Sequence, residues 1–101
     1  MTPEYMAIRG VAEYLGRSFR TLERWKQHGY LPPHAEWTRK IHMWKRTDLD
    51  AWSEMKMRGL LDDWIEVRGR LGAIDGWALM LERLDAAKAK TAAVVAQEVT
   101  R

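Results

Sequence analysis

The stretch that decides the fold runs Val11-Ala12-Glu13-Tyr14-Leu15-Gly16-Arg17-Ser18-Phe19-Arg20-Thr21-Leu22-Glu23-Arg24-Trp25-Lys26-Gln27-His28. Apolar residues stand at Val11, Ala12 and Leu15, Gly16 interrupts, and Leu22 and Trp25 resume three residues apart. That spacing predicts two short amphipathic helices joined by a tight turn. Ser18 suits the N-cap of the second helix, because its hydroxyl can accept a free backbone N–H of the first turn. Gly29 follows where a helix-terminating glycine belongs. At 100° per residue, Leu22 and Trp25 fall on one side of the second helix. Arg20, Arg24 and Gln27 fall on the other, flanked by Thr21 and Glu23. One face can pack while the other carries long polar donors. Arg and Gln are the side chains that read guanine and adenine edges bidentately, so this face suits a DNA major groove. An ordinary surface helix with a solvated charged face fits the same pattern.

On the N-terminal side, Pro3 keeps the chain extended. Tyr5, Met6 and Ile8 either form a short strand or pack on the first helix, which Arg9 and Gly10 lead into. On the C-terminal side, Tyr30-Leu31-Pro32-Pro33 stops helix, since proline lacks the N–H and restricts its predecessor. Trp37, Ile41 and Met43 then alternate with polar residues about a Thr38-Arg39-Lys40 tip, the pattern of a two-stranded hairpin. Its turn type is open, because no Asn-Gly pair marks the tip.

Thr47 is the expected N-cap of a third helix, with Asp48 and Asp50 in its first turn and Leu49, Trp52 and Met55 on one side. Apolar positions continue at Leu60, Leu61, Trp64, Ile65, Val67 and Leu71. Gly59 either breaks or weakens this run, and Gly69 and Gly72 end it. Asp75 is the expected cap of a last helix, whose stripe is Trp77, Met80, Leu81, Leu84, Ala87, Val94 and Val95.

The 101 residues suit one domain with an appendage. With no cysteine, disulfides and thiolate metal sites are excluded. No apolar run approaches the ~20 residues of a membrane span, and the start of the chain lacks the pattern of a signal peptide. The expected location is therefore cytoplasmic. The net charge is +3, but it is unevenly placed. From Arg17 to Arg46 eight cations face two anions, whereas from Ala51 onward eight face eight. A localised basic excess is the electrostatic footprint of a polyanion binder.

Chemistry other than binding finds little support. His28, His34 and His42 match no helical i, i+4 ligand pair and no Cys completes a set, so neither metal nor cofactor is expected. Asp48 with Asp50, and Asp62 with Asp63, sit in opening turns of helices, where the dipole explains them. No catalytic triad, phosphate loop or zinc-protease motif is present, and no enzyme is expected. Trp25, Trp44 and Trp52 belong to the core on their spacing, and Trp37 flanks the hairpin where it could touch DNA.

From Ile8 to Trp52 the chain resembles the small winged-helix proteins of the MerR-like superfamily, in particular phage and mobile-element excisionases and related regulators. The matching blocks are Val11-Ala12-Glu13-Tyr14-Leu15-Gly16, Ser18 with Thr21-Leu22 and Arg24-Trp25, Gly29-Tyr30-Leu31-Pro32, and Trp44-Lys45-Arg46-Thr47-Asp48-Leu49-Asp50-Ala51-Trp52. The Trp77 segment is distantly similar to the end of Cox-type phage proteins, which act as excisionase and repressor. The resemblance covers about half the chain. It implies a mainly α fold with a small β-hairpin wing, a winged helix-turn-helix followed by C-terminal helices. It also implies that the second helix enters the major groove, that the wing touches backbone or minor groove, and that the host cell is bacterial.

These readings combine into a set of expectations. Residues 1–58 form a winged-helix DNA-binding domain, and 59–101 a helical extension that either enlarges the core or mediates self-association. Arg20 and Arg24 read bases with Thr21 and Gln27 assisting, Ser18 belongs to the same helix, and Arg17 with Thr38, Arg39 and Lys40 of the wing contacts the DNA backbone or minor groove. The function is sequence-specific binding of double-stranded DNA in excision or transcriptional regulation. Expected partners are a second copy of the chain, as a dimer or head-to-tail on DNA, and an integrase. A small terminase-like packaging subunit, or a module binding a recombinase or polymerase, would share much of this pattern.

Overall fold

The computed structural model describes residues 3–36 and 38–99, the side chains of 93–99 excepted. The expectations for Trp37, Val94 and Val95 lie outside the described residues and side chains. Among the described residues the fold is mainly helical with a small antiparallel sheet. In chain order it contains β1 (Tyr5–Met6), α1 (Ile8–Leu15), α2 (Phe19–Gln27), β2 (Ala35–Glu36), β3 (His42–Lys45), α3 (Arg46–Met57), α4 (Leu61–Leu71) and α5 (Ala73–Val99).

The predicted helix pair forms as α1 and α2, with Arg9 and Gly10 inside α1 rather than ahead of it. Ser18 caps α2, its Oγ accepting the N–H of Thr21 at 3.2 Å. At the far end of α2 the N–H of Tyr30 donates to Trp25 O at 2.9 Å and that of Gly29 to Lys26 O at 3.1 Å. This paired closure needs a left-handed residue, and Gly29 supplies it with φ 68°.

The hairpin also forms. β3 is the central strand, with β1 on one side and β2 on the other, both antiparallel. Tyr5 and Met6 thus make a strand, opposite Lys45 and Trp44. The tip closes without glycine because the Thr38 side chain does the turn's work. Its Oγ1 accepts the N–H groups of Lys40 and Ile41 at 3.3 and 3.1 Å. Of the hairpin's two faces, the one carrying Trp44 is turned inward, and Trp44 is 1 % exposed.

Three further helix boundaries differ from expectation. Thr47 does not cap α3, since the strand runs straight into the helix and Lys45 occupies the capping position. The sheet satisfies the helix start instead, with Arg46 N–H donating to Glu4 O at 2.7 Å. Gly59 does break the run, because the Leu60 N–H turns back to Met55 O at 2.8 Å and α4 begins afresh. Gly69 lies inside α4, and Gly72 alone ends it. Asp75 lies within the first turn of α5, because that helix already starts at Ala73.

One cluster of buried side chains runs from Met6 to Leu84, so α4 and α5 extend the same core as α1 to α3. The segment Gly29–Pro32 is its hub. A loop that passes through a core carries carbonyls that water cannot reach, and each needs a donor. Here side chains supply them. Trp44 Nε1 donates to Pro32 O at 3.0 Å, and Trp52 and Trp64 Nε1 donate to Tyr30 O at 2.8 and 3.2 Å. Arg68 Nη1 reaches Gly29 O at 3.0 Å and Leu31 O at 3.3 Å. The tryptophans therefore supply both bulk and fixed donors to one loop. Trp25, expected in the core, is only partly buried, its ring 5.4 Å from that of Trp52.

Candidate nucleic-acid interface

The outward face of α2 is set by what its inward face buries. Leu22 is fully buried, and Trp25 leans on Trp52 and Tyr30. Arg20, Arg24 and Gln27 are consequently exposed, and so is Arg17 in the turn before the helix. None of Arg17, Arg20 and Arg24 forms an ion pair among the described residues. Their guanidinium groups are thus uncommitted within that set.

Two of the predicted contacts are engaged by local structure. Ser18 Oγ lies 2.8 Å from Thr21 Oγ1 while also accepting the Thr21 N–H. Thr21 itself is half-buried. At the hairpin, Thr38 Oγ1 is occupied by the turn, whereas Arg39 and Lys40 are exposed beside it. Ser18 and Thr38 thus shape the backbone that carries the cations.

The hairpin tip and α2 meet along one shallow cleft, lined by Lys26, Lys40, Ile41, His42 and Trp44 together with Ala7 and Ile8 at the start of α1. Lys26, on the side of α2 that faces the hairpin, joins the basic surface although the helical wheel alone did not single it out. Its Nζ lies 5.8 Å from the Trp44 ring centroid, a cation–π placement that steadies the lysine over the cleft.

A second constellation was not legible from helical spacing. Antiparallel pairing sets Glu36 directly opposite His42, and period-two alternation puts His34 on the same face as Glu36. One ligand atom from each of His34, Glu36 and His42 lies within 4.8 Å of the others. The two imidazoles stack with centroids 4.1 Å apart and planes at 17°. Burial holds the His34 imidazole below its usual range, and the charges of His42 and Lys26 push the same way. Helical i, i+4 spacing does not relate these residues, because what brings them together is a strand pair.

Comparison with protein-family models, with curated proteins and with solved structures found no match for this chain.

Proposed function

We propose that this chain is a sequence-specific double-stranded DNA-binding protein of winged helix-turn-helix architecture, acting as an excisionase or transcriptional regulator of a phage or mobile element. The observation that carries the reading is the uncommitted cation set: Arg17, Arg20 and Arg24 at one helix, with Arg39 and Lys40 on the hairpin. In this reading α2 lies in the major groove, and Arg20 and Arg24 hydrogen-bond base edges with Gln27 beside them. Arg39 and Lys40 sit over the flanking phosphates or minor groove, and Arg17 holds the phosphate backbone next to the helix. The residue order from Ile8 to Trp52, with its resemblance to excisionases, supports the choice of biological role.

A titration with duplex DNA tests the reading. Wild-type protein selects a preferred duplex from a random pool and binds it more tightly than bulk DNA. A good bidentate contact contributes about 1–3 kcal/mol of discrimination. Arg20→Ala and Arg24→Ala therefore weaken the selected site about 5- to 150-fold and bulk DNA far less. Equal loss on both sequences removes the base-reading assignment, and no binding at low salt removes DNA binding altogether.

Self-association on DNA is the second part of this reading. It draws on apolar side chains left outside the core, Ile65, Leu71 and Ile74, of which Ile74 is 79 % exposed. Pairing two small reading heads raises affinity through effective concentration.

A further inference from the structure

We propose that His34, Glu36 and His42 form a metal-binding site on the hairpin, which takes a single zinc-class dication through two imidazoles and one carboxylate. The strand geometry comes first. Side chains at i and i+2 share a face, and directly paired residues on an antiparallel ladder bring their Cβ atoms to about 4.5–5.5 Å. His34 and Glu36 satisfy the first condition and Glu36 with His42 the second. One donor atom from each of the three thereby stands within 4.8 Å of the others.

The donor chemistry selects the ion. Neutral imidazole suits zinc and its borderline neighbours, and one carboxylate adds the negative charge that a dication favours. Magnesium and calcium prefer all-oxygen shells, which two histidines cannot supply. Three protein ligands leave one position of a tetrahedron for water. Glu36 Oε1 stands 4.0 Å from His42 Nε2, too far for a hydrogen bond. Ligand atoms of a tetrahedral zinc site stand about 3.3 Å apart, roughly 1.6 times the metal–nitrogen distance, so the 4.0 Å separation leaves only a fraction of an ångström to close. Glu36 has a side chain 67 % exposed and can close the remainder by a change of rotamer. The nearly parallel rings do not aim both lone pairs at one point, and His34 swings about its side-chain torsions to converge.

One further observation points to a ligand. His42 Nδ1 is buried and meets no hydrogen-bond partner among the described residues. Buried polar nitrogens are rarely left so, and an ion bound through Nδ1 in place of Nε2 gives it a partner. Lys26 and Arg68 are near enough to act on His34 and would oppose a dication, whereas the Glu36 carboxylate favours one. The site borders the cleft between hairpin and α2 but uses none of the side chains assigned to DNA contact, and its test contains no DNA.

The experiment is calorimetric titration of the untagged full chain with Zn2+, with Co2+ absorption and histidine NMR as second readouts. The expected result is one ion per chain. The imidazole signals of His34 and His42 shift and that of His28 stays in place. His34→Ala and His42→Ala each lower affinity more than about tenfold, since loss even of an outer-shell partner costs 10–100-fold. His42 is half-buried, so Glu36→Gln and His34→Ala, both at the surface, serve where His42→Ala does not fold. Absence of heat and of cobalt absorption with the folded wild-type protein overturns the site. So does binding that survives intact in the His34→Ala, Glu36→Gln double variant.

Discussion

Arg68 is the residue on which the interior depends in a way its charge conceals. Its guanidinium donates to the carbonyls of Gly29 and Leu31 and lies 5.6 Å from the Trp64 ring centroid. It also fills the space beside Gly29, where an added Cβ would stand 3.1 Å from Nε. Removing the donors leaves two carbonyls of an interior loop short of partners, at about 1–3 kcal/mol for an unsatisfied group. Arg68→Met should therefore lower the unfolding free energy by that amount while the far-ultraviolet spectrum keeps its helical shape. Chemical denaturation measures it. The tryptophans divide in a related way. Trp44→Ala should cost about 3–5 kcal/mol, as for a fully buried ring. Trp25→Ala should cost clearly less, because part of its ring already faces water. The same denaturation series ranks the two, and equal losses would place Trp25 deeper than its packing implies.

At the scale of elements, the junction of α4 and α5 and the clamp between α3 and α5 make opposite kinds of contact. Gly76 lets α5 approach α4 closely, for an added Cβ would meet Val67 Cγ1 at 3.2 Å and the Arg68 backbone at 3.3 Å. Alanine is the better helix former by about 1 kcal/mol, yet the α4 backbone cannot yield as a side chain can. Gly76→Ala is expected to destabilise, and a raised melting temperature would show that the crossing relaxes. The α3–α5 clamp is electrostatic. Glu54 pairs with Lys88 at 3.0 Å and with Arg58 at 3.3 Å, and Arg58 also reaches Thr91 Oγ1 at 3.1 Å. The Lys88 hydrogen bond, with the Arg58 pair behind it, holds the Glu54 carboxyl below its usual range. A carboxylate so depressed stabilises the fold above its unfolded-state pKa, and that stability is lost as pH falls through the folded-state value. Glu54→Gln should thus lower the melting temperature slightly near neutral pH, and the difference from wild type should vanish in acid. Added salt should shrink it too, because the pair faces solvent.

At the scale of the whole molecule, residues 1–58 and 59–101 share one interior. Leu61, Trp64, Val67, Trp77, Met80 and Leu84 are buried in the same cluster as Leu22, Trp44 and Trp52. Trp77 Nε1 also reaches back to Asp48 Oδ1 at 3.2 Å. Cutting after Arg58 removes Trp64 and Arg68 from the Gly29–Pro32 loop, so the fragment should melt well below the full chain or fail to fold. Circular dichroism of the two distinguishes these from an unchanged transition, which would show that α1 to α3 suffice. DNA binding, as proposed, is also a property of the assembled surface. Arg39→Ala should reduce the slope of log affinity against log salt by about 0.9 if that side chain neutralises one phosphate. An unchanged slope would take the hairpin off the DNA.

The sequence by itself determined the local elements, because their causes are local. Apolar spacing, the Ser18 cap, Gly29 and the Pro32-Pro33 stop act within a few residues, and α1, α2 and the hairpin follow from them. The outward position of Arg20, Arg24 and Gln27 was legible for the same reason, since Leu22 fixes the helix's rotation. What only the tertiary structure decided depends on partners far along the chain. Thr47 looked like a cap, but the sheet already satisfies the start of α3 through Glu4. The tail's apolar stripe fitted a core or an interface equally well, until Trp64 and Arg68 were seen to close on Tyr30, Gly29 and Leu31. His34, Glu36 and His42 read as unrelated residues until antiparallel register brought them face to face. Periodicity states which side of an element is apolar. It does not state which other element meets that side, because the choice is made by packing and hydrogen-bond satisfaction across the whole interior.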